Sequence, residues 1–379
     1  MGEADADSIA GFFRASGWDA QATSASAREM LRTAAAANPF EPGTAPPTVG
    51  VFIGSLLVAY LTSIPTRFWN GREYASAHWL KGFWVLEEYR NGPVGFLLLK
   101  EMLKHVGIAA SLPAALVTRQ LSAALGMRDL GAVRDYVEPL RPARILRKVD
   151  FGQLEHLSGL PAAMSLAARI ARVAPIGDLV GALITLGLTV LRLPGAWSAR
   201  NLRTELAERL PQEAALDSLW MRAQRSLSCS ATRSGAYLDW RYQGCASGHG
   251  QAHYRFAAAW RGGELVGLAV LAQPQRRDDA RIRGLGIGSV VDLVLDPDCP
   301  GALHGVLAVA RRWARDANYD ALLLTASRRA LRRPLLRAGF IPTPGNIHLL
   351  LRDPGARHGL STDLDAWMVT RGDAWSDHV

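Results

Sequence analysis

The chain is predicted to be α/β: two units of one plan, joined by a helical segment. Three observations predict this. Two β-rich sections, 49–140 and 253–351, share one order of elements: hairpin, strand, helix, strand, helix, short break, strand. Their breaks, "LGM" at 125–127 and "AGF" at 338–340, fall at similar distances from the preceding strand, with Val85 to Gly126 spanning 41 positions and Val294 to Gly339 spanning 45. Between the sections, 151–228 is rich in Ala, Leu and Arg and is cut by Pro161, Pro175, Pro194 and Pro211 into short helices. With 379 residues, 49% of them hydrophobic and 20% charged, the chain has the length and composition for two folded domains.

In order, residues 1–27 alternate small and acidic residues and read as a flexible N-terminal segment that includes a frayed helix. "NPFEPGTAPPT" (38–48) is a loop by its prolines and glycine. Strands follow at 49–53, 55–64 and 77–86, with Gly54-Ser55 as the hairpin turn and "NGRE" (70–73) as the second turn. Apolar positions 96, 97, 99, 102, 103 and 106 have helical spacing, so 95–106 is a helix. Then come a short strand (107–113), a helix (115–125) and a closing strand (130–140). The second section repeats this with strands at 253–260, 263–273 and 288–296, a helix at 301–317, a strand at 320–326, a helix at 329–338 and a closing strand at 347–351. The expected domains are 28–150, a helical linker 151–214, 215–355 and a C-terminal tail 356–379.

The formal charge of +9 admits nucleic acid, an anionic membrane or an acidic small molecule as partner. Only four of the 43 basic residues are lysine (Lys81, Lys100, Lys104, Lys148), a skew of base composition rather than of function, and no nucleic-acid motif accompanies it. Nucleic acid is not expected. Cys229, Cys245 and Cys299 are scattered without metal-ligand spacing, so neither a disulfide framework nor a metal site is expected. The N-terminus lacks the basic and apolar regions of a signal peptide, and a cytoplasmic location is expected. Residues 176–193 are strongly apolar, but the uncharged stretch between Asp178 and Arg192 has thirteen residues, short of the roughly 20 a spanning helix needs. A core or interdomain helix is the favoured reading; peripheral membrane contact, aided by Arg169, Arg172 and Arg192, is the other.

Two glycine-rich strings compete as phosphate loops: "RGLGIG" (283–288) and "RNGPVG" (90–95). Such a loop must leave a strand and open a helix, because unpaired N–H groups at a helix start, with its dipole, attract an anion. "RGLGIG" lies between strands and reads as a hairpin connection. "RNGPVG" follows "HWLKGFWVLEEY" and leads into "FLLLKEMLKHV", so context selects it.

The segment "GFWVLEEYRNGPVGFLLLKEML" resembles the strand, pyrophosphate loop and helix of the GNAT acyltransferase superfamily. Val85, Glu88, Tyr89, Arg90 and Gly95 match its "V-x-P-E-Y-R" exit and Arg-x-x-Gly-x-Gly loop, while Pro93 replaces the middle glycine and Glu87 the common proline. The resemblance covers 49–140 by motif and 215–352 by topology, with "LWMRAQRS" and "AYLDWRY" similar to the entrance helices of a second such domain in tandem bacterial members. It implies two GNAT-like folds. It also implies an acyl-CoA, in particular acetyl-CoA, whose thioester carbonyl is polarised by the N–H groups of Val85 and Leu86 and whose pyrophosphate is held by Arg90, Asn91, Gly92, Val94 and Gly95, with no metal. Asp296 and Asp298 stand at the corresponding place in the second unit, so only the first unit is expected to bind CoA.

In this family the acid that protonates the leaving thiolate is commonly a tyrosine; that position is Ser122 here and Leu335 in the second unit. The base commonly lies six residues before the polarising amide, which lands on Trp79, with His78 beside it as the titratable candidate. Asp135 and Tyr136 are further candidates. Trp69, Trp79 and Trp84 read as core aromatics or as the lining of a sugar or acyl pocket. The function implied is transfer of an acyl group to a small amine or amino-sugar acceptor. Its rivals are a non-catalytic CoA- or ligand-binding module and an aminoacyl transferase of the Fem type that uses charged tRNA.

Overall fold

The computed structural model describes residues 1–36, 38–41, 44–148, 174–244, 254–273 and 284–373. Expectations that fall elsewhere, including helices in 151–173, Cys245, Arg169 and Arg172, lie outside the described residues. The chain folds as mixed α/β with two curled sheets flanked by helices, as the sequence predicts.

The first half contributes α1 (Ala6–Ala15), α2 (Ser24–Ala36), β1 (Thr48–Ile53), β2 (Leu56–Trp69), β3 (Tyr74–Val85), α3 (Val94–His105), β4 (Ile108–Ser111), α4 (Leu116–Ala124), β5 (Arg128–Ala132), β6 (Asp135–Pro139) and α5 (Pro142–Lys148). The second contributes α6 (Ala174–Ala199), β7 (Arg203–Ala207), α7 (Glu213–Gln224), β8 (Cys229–Ala231), α8 (Gly235–Tyr242), β9 (Tyr254–Arg261), β10 (Glu264–Ala272), β11 (Ile287–Leu295), α9 (Ala302–Asp316), β12 (Ala321–Thr325), α10 (Arg332–Arg337), β13 (Ile341–Thr343), β14 (His348–Arg352) and β15 (Trp367–Met368).

The two closing strands are not where sequence order puts them. The predicted strand 130–140 is broken at Val133-Arg134: β5 stays in the first sheet, and β6 crosses into the second, between β12 and β13. Likewise β14 crosses from the second half into the first sheet, between β4 and β5. The crossings touch. Val133 N–H donates to Ile347 O at 2.9 Å, and a Cβ on Gly345 would lie 1.5 Å from Val133 O, so only glycine fits there. Asp135 accepts from Thr325 Oγ1 and, at 3.2 Å, from Arg371 Nη2, which fastens the C-terminal segment to the same point.

Three domain expectations are corrected. The N-terminal segment is not loose: Ala6, Ile9, Ala10, Phe12 and Phe13 of α1 are buried with Tyr60 and Leu61 of β2 in one apolar cluster. The linker is not wholly helical, because β7 joins the edge of the second sheet beside β9. The tail is not an appendage, since β15 pairs with β8, which pairs with β2, and Trp367, Met368 and Val369 are buried.

One face of the first sheet packs against α1 and α3; the other shares a core with the second half, through Ile64, Phe68, Ala77 and Trp79. Two buried ion clusters brace that second half. Glu138 on β6, wholly buried, lies 2.6 Å from both Arg192 Nη2 of α6 and Arg311 Nε of α9. Arg233 bridges Asp292 (2.7 Å) and Asp373 (2.8 Å). Buried charges of this kind persist because each has a partner, and removing one partner strands the other.

The expectation that 176–193 is a core or interdomain helix is overturned. Only a narrow stripe of α6 faces the protein, and Leu179, Leu183, Leu186 and Val190 are exposed.

Two outcomes test this architecture. Gly345→Ala is expected to lower the unfolding free energy by about 2–3 kcal/mol, as overpacking of a closed contact does, read as a lower midpoint in urea. Arg233→Met is expected to cost about 3–5 kcal/mol by leaving two buried carboxylates unpaired, read by the same method.

Candidate functional site

β3 and β4 are paired over three residues only: Ala77 with Ile108, His78 with Ala109, and Trp79 with Ala110. Beyond them the strands part. β3 continues against β2 alone, and Ser111 of β4 turns to Leu350 of β14. A gap therefore opens beside residues 80–85.

Within that gap β3 carries a bulge. Tyr60 pairs with Trp84 and Thr62 with Lys81, so Gly82 and Phe83 together oppose Leu61. Gly82 takes φ +71°, and a Cβ there would sit 2.9 Å from the Trp18 ring, so conformation and space both demand glycine. The sequence reading missed Gly82; a lone glycine inside a strand run was the available signal.

The bulge sets which peptide groups face the gap. Leu86 N–H donates to Val58 O at 2.9 Å. N–H directions alternate along an antiparallel strand, so the Val85 peptide points away from β2. Arg90 Nε donating to Val85 O at 3.0 Å from the open side agrees with this. Thus Val85 N–H is aimed into the gap, whereas Leu86 N–H is not, which corrects its assignment as a second polarising donor.

The loop that follows turns through Glu87–Tyr89 and enters α3 at Val94. Pro93 is the N-cap and offers no side-chain cap; its carbonyl accepts the first helical bond, from Leu97 N–H at 2.9 Å. The N–H groups of Val94, Gly95 and Phe96 have no partner among the described residues, nor does that of Asn91. Gly92 N–H turns back to Tyr89 O at 3.3 Å, so it closes the loop rather than pointing outward. A Cβ on Gly92 would meet nothing nearer than 3.7 Å, while one on Gly95 would touch Phe83 at 3.4 Å. Arg90 also lies over the Trp84 ring, 5.9 Å from its centre, and Trp18 packs on the same indole. The structure thus brings Val85, Arg90, Asn91, Val94 and Gly95 to one end of the gap, with an uncapped helix start able to receive an anion.

The remaining candidates are elsewhere. His78 lies seven residues before Val85, about 20 Å along the strand, beyond proton-transfer reach of a group held at Val85. Its Nδ1 is 3.2 Å from Ser63 Oγ and its Nε2 is 3.9 Å from Glu41. Burial lowers its pKa below the ordinary value, and Glu41 partly offsets this. Ser122 is buried in α4, beside the Leu121 that packs at Gly95, and makes no contact with His78. Asp135 is held by Thr325 and Arg371, and Tyr136 is buried in the shared core. The three tryptophans do not cluster: Trp69 packs on Tyr74, Trp79 is buried against Phe68, and Trp84 is at the loop.

The second unit has the same gap, filled by its own chain. β11 pairs with β12 only as far as Val290 and Leu324. Beyond, Gly372 N–H donates to Val291 O at 2.7 Å. The start of α9 is covered by the end of α6, since a Cβ on Gly301 would lie 2.3 Å from Ser198 O. Asp296 is taken by Arg222 at 2.8 Å. In "RGLGIG" the described residues pack rather than bind: Gly286 N–H donates to Asp320 at 3.0 Å, and Gly288 fits closely against Trp313 and Tyr319. No group of His, Cys, Asp and Glu able to hold a metal occurs among the described residues.

No protein-family model matches the chain, and no curated protein is similar to it in sequence. Solved structures are similar in fold. A protein from Enterococcus faecalis described as a probable N-acyltransferase has a TM-score of 0.54 at 10% identity, over 97% of this chain and 72% of its own. A GCN5-related N-acetyltransferase from Anabaena variabilis has a TM-score of 0.55 at 11% identity, over 92% and 70%. The N-myristoyltransferase of Saccharomyces cerevisiae, solved with myristoyl-CoA, has a TM-score of 0.52 at 17% identity, over 86% and 70%. The chain has the GNAT-superfamily fold.

The depressed pKa of His78 has a measurable consequence. Protonation is harder in the folded state, so His78 contributes stability above the unfolded value of about 6.5 that is lost as pH falls below it. NMR titration is expected to give a His78 midpoint below that value, and Glu41→Gln is expected to lower it further by removing the offsetting carboxylate.

Proposed function

We propose that this protein is an acyl-CoA-dependent N-acyltransferase whose donor site is the gap between β3 and β4. One observation carries the reading: a strand that parts from its neighbour, with the Val85 peptide facing the gap, runs directly into a loop and an uncapped helix start. Acetyl-CoA is the donor we assign first and a small amine the acceptor. The likeness to an acetyltransferase and to a myristoyltransferase supports acyl-CoA as the class.

In this reading the pyrophosphate lies at the N–H groups of Asn91, Val94 and Gly95, with Arg90 supplying a fixed positive charge. The pantetheine arm runs along the gap, and the thioester carbonyl accepts from Val85 N–H. A neutral amine attacks the carbonyl carbon, the oxygen gains negative charge that Val85 N–H stabilises, and the C–S bond breaks. The thiolate leaves and takes up the proton that the new ammonium group loses, directly or through water.

A second reading, a CoA-binding protein without turnover, is favoured by Ser122 at the acid position and by the distance of His78 from Val85. The Fem-type tRNA-dependent reading has no comparable observation in its favour.

Calorimetry with acetyl-CoA tests the proposal. Wild type is expected to bind, and Gly92→Asp, at an exposed and open position, is expected to weaken binding by at least about tenfold by placing a negative charge beside the phosphates. Asp298→Ala in the second unit is expected to change nothing. No binding by wild type overturns the reading. Binding without release of free thiol against a panel of amines selects the second one.

A further inference from the structure

The helix α6 is patterned inside out. Its inward stripe is Gly177, Val180, Gly181, Ile184, Leu188, Arg192, Gly195 and Ala199, so half of what it turns to the protein is small. Gly181 lies against Ala143 of α5, and Gly195 against His304 of α9, both too close for a Cβ. Most of the large apolar side chains point the other way. Leu179, Leu183 and Leu186 are 63%, 59% and 62% exposed, and Trp197 is 70% exposed. A helix facing water shows the reverse arrangement.

The polar groups on this helix avoid needing water. Thr185 and Thr189 donate their hydroxyls, each at 2.8 Å, to the carbonyls four residues back, and Ser198 donates to Gly195 O. Back-bonding of this kind satisfies a hydroxyl in an apolar surrounding. The only acid, Asp178, is paired with Arg147 at 3.3 Å. Among the described residues, α6 is the one helix long and apolar enough to cross a membrane, and only 11% of its apolar window is buried.

We infer that α6 is a membrane-surface helix that seats this protein on an anionic lipid bilayer. It cannot cross. At about 39 Å it is long enough, but it is fastened lengthwise to the body at Gly181, at Gly195, and between them by Arg192 on buried Glu138. A helix held in this way lies in the interface plane, with its leucines in the acyl region and its borders at the headgroups. Those borders are basic. Arg147 and Lys148 end the neighbouring α5, Arg200 follows α6 and stacks on Trp197 at 3.8 Å, and Arg332 and Arg337 are exposed on α10, which also packs against α6. With the net charge of +9, this border matches anionic headgroups.

A second copy of the chain is the competing occupant, because Ile176, Leu179, Leu183, Leu186, Val190, Leu193 and Trp197 follow a three-four spacing. A coiled-coil seam is narrow and edged by charges. Here Ala182, Gly187, Leu191 and Ala196 widen the exposed apolar face beyond a narrow seam, which favours lipid.

The test is co-sedimentation of the full chain with vesicles of phosphatidylcholine containing about one quarter phosphatidylglycerol, beside sedimentation velocity without lipid. Wild type is expected to bind these vesicles and to bind pure phosphatidylcholine more weakly. Leu183→Ser/Leu186→Ser/Val190→Ser, at exposed positions, is expected to keep its circular dichroism and lose at least about tenfold in vesicle binding. Leu116→Ser/Val117→Ser, an equally exposed apolar pair on α4, is expected to bind as wild type does. Three results overturn the inference: no vesicle binding by wild type, equal loss in both variants, or a lipid-free dimer that the triple variant dissociates while wild type ignores vesicles.

Discussion

The contact of Gly345 with the Val133 carbonyl is where the two halves of this protein become one. Two chain crossings pass through that point in opposite senses, and each delivers a strand to the other half's sheet. β14 receives hydrogen bonds from β4 and β5, and β6 receives them from β12 and β13, so neither sheet is complete without both halves. Burial around the crossing then fixes the charges near it: Asp135 needs Arg371, and Arg371 belongs to the C-terminal segment. The segment read from the sequence as a C-terminal tail is thereby tied to the centre of the fold.

The same joining makes the units unequal. Both carry the parted strands and the loop into a helix. In the second, the chain has used that opening for itself: Gly372 bonds Val291, and the end of α6 covers the start of α9. The carbonyl end of α6 packed on the amide end of α9 places opposite dipole ends together and leaves no room there for a ligand. The first unit has no such plug among the described residues. The unpaired N–H groups of α3 and the Val85 peptide are left facing outward, and the GNAT-superfamily likeness of the fold gives that opening a chemical interpretation.

The helix α6 connects these themes. Its C-terminal end covers the start of α9, Arg192 joins the buried Glu138–Arg311 pair, and most of its remaining circumference is apolar and exposed. Small residues inward allow close approach of backbones; large residues outward need a partner that is not water. A structural plug and an unpartnered apolar face are thus two sides of one element.

Much was legible in the sequence. Hydrophobic periodicity and turn residues located β1 to β4, α3, β9 to β12 and α9, because these elements depend on local spacing. Two units of one plan followed from their repeated order. That "RNGPVG" leaves a strand and opens a helix, while "RGLGIG" leads into a strand, was also legible, since it depends only on local pattern. Four matters waited for the tertiary structure. The exchange of β6 and β14 is invisible locally, because a strand's pattern names its buried face and not its neighbour. The direction of the Val85 and Leu86 peptides was decided by the bulge at Gly82, a matter of pairing parity. The distance of His78 from Val85 is set by strand rise, which no motif count contains. The exposure of α6 depends on what packs against it: an apolar helix looks the same in sequence whether a core or a lipid surface receives it, and only the Gly-lined contact stripe decides which face is left over.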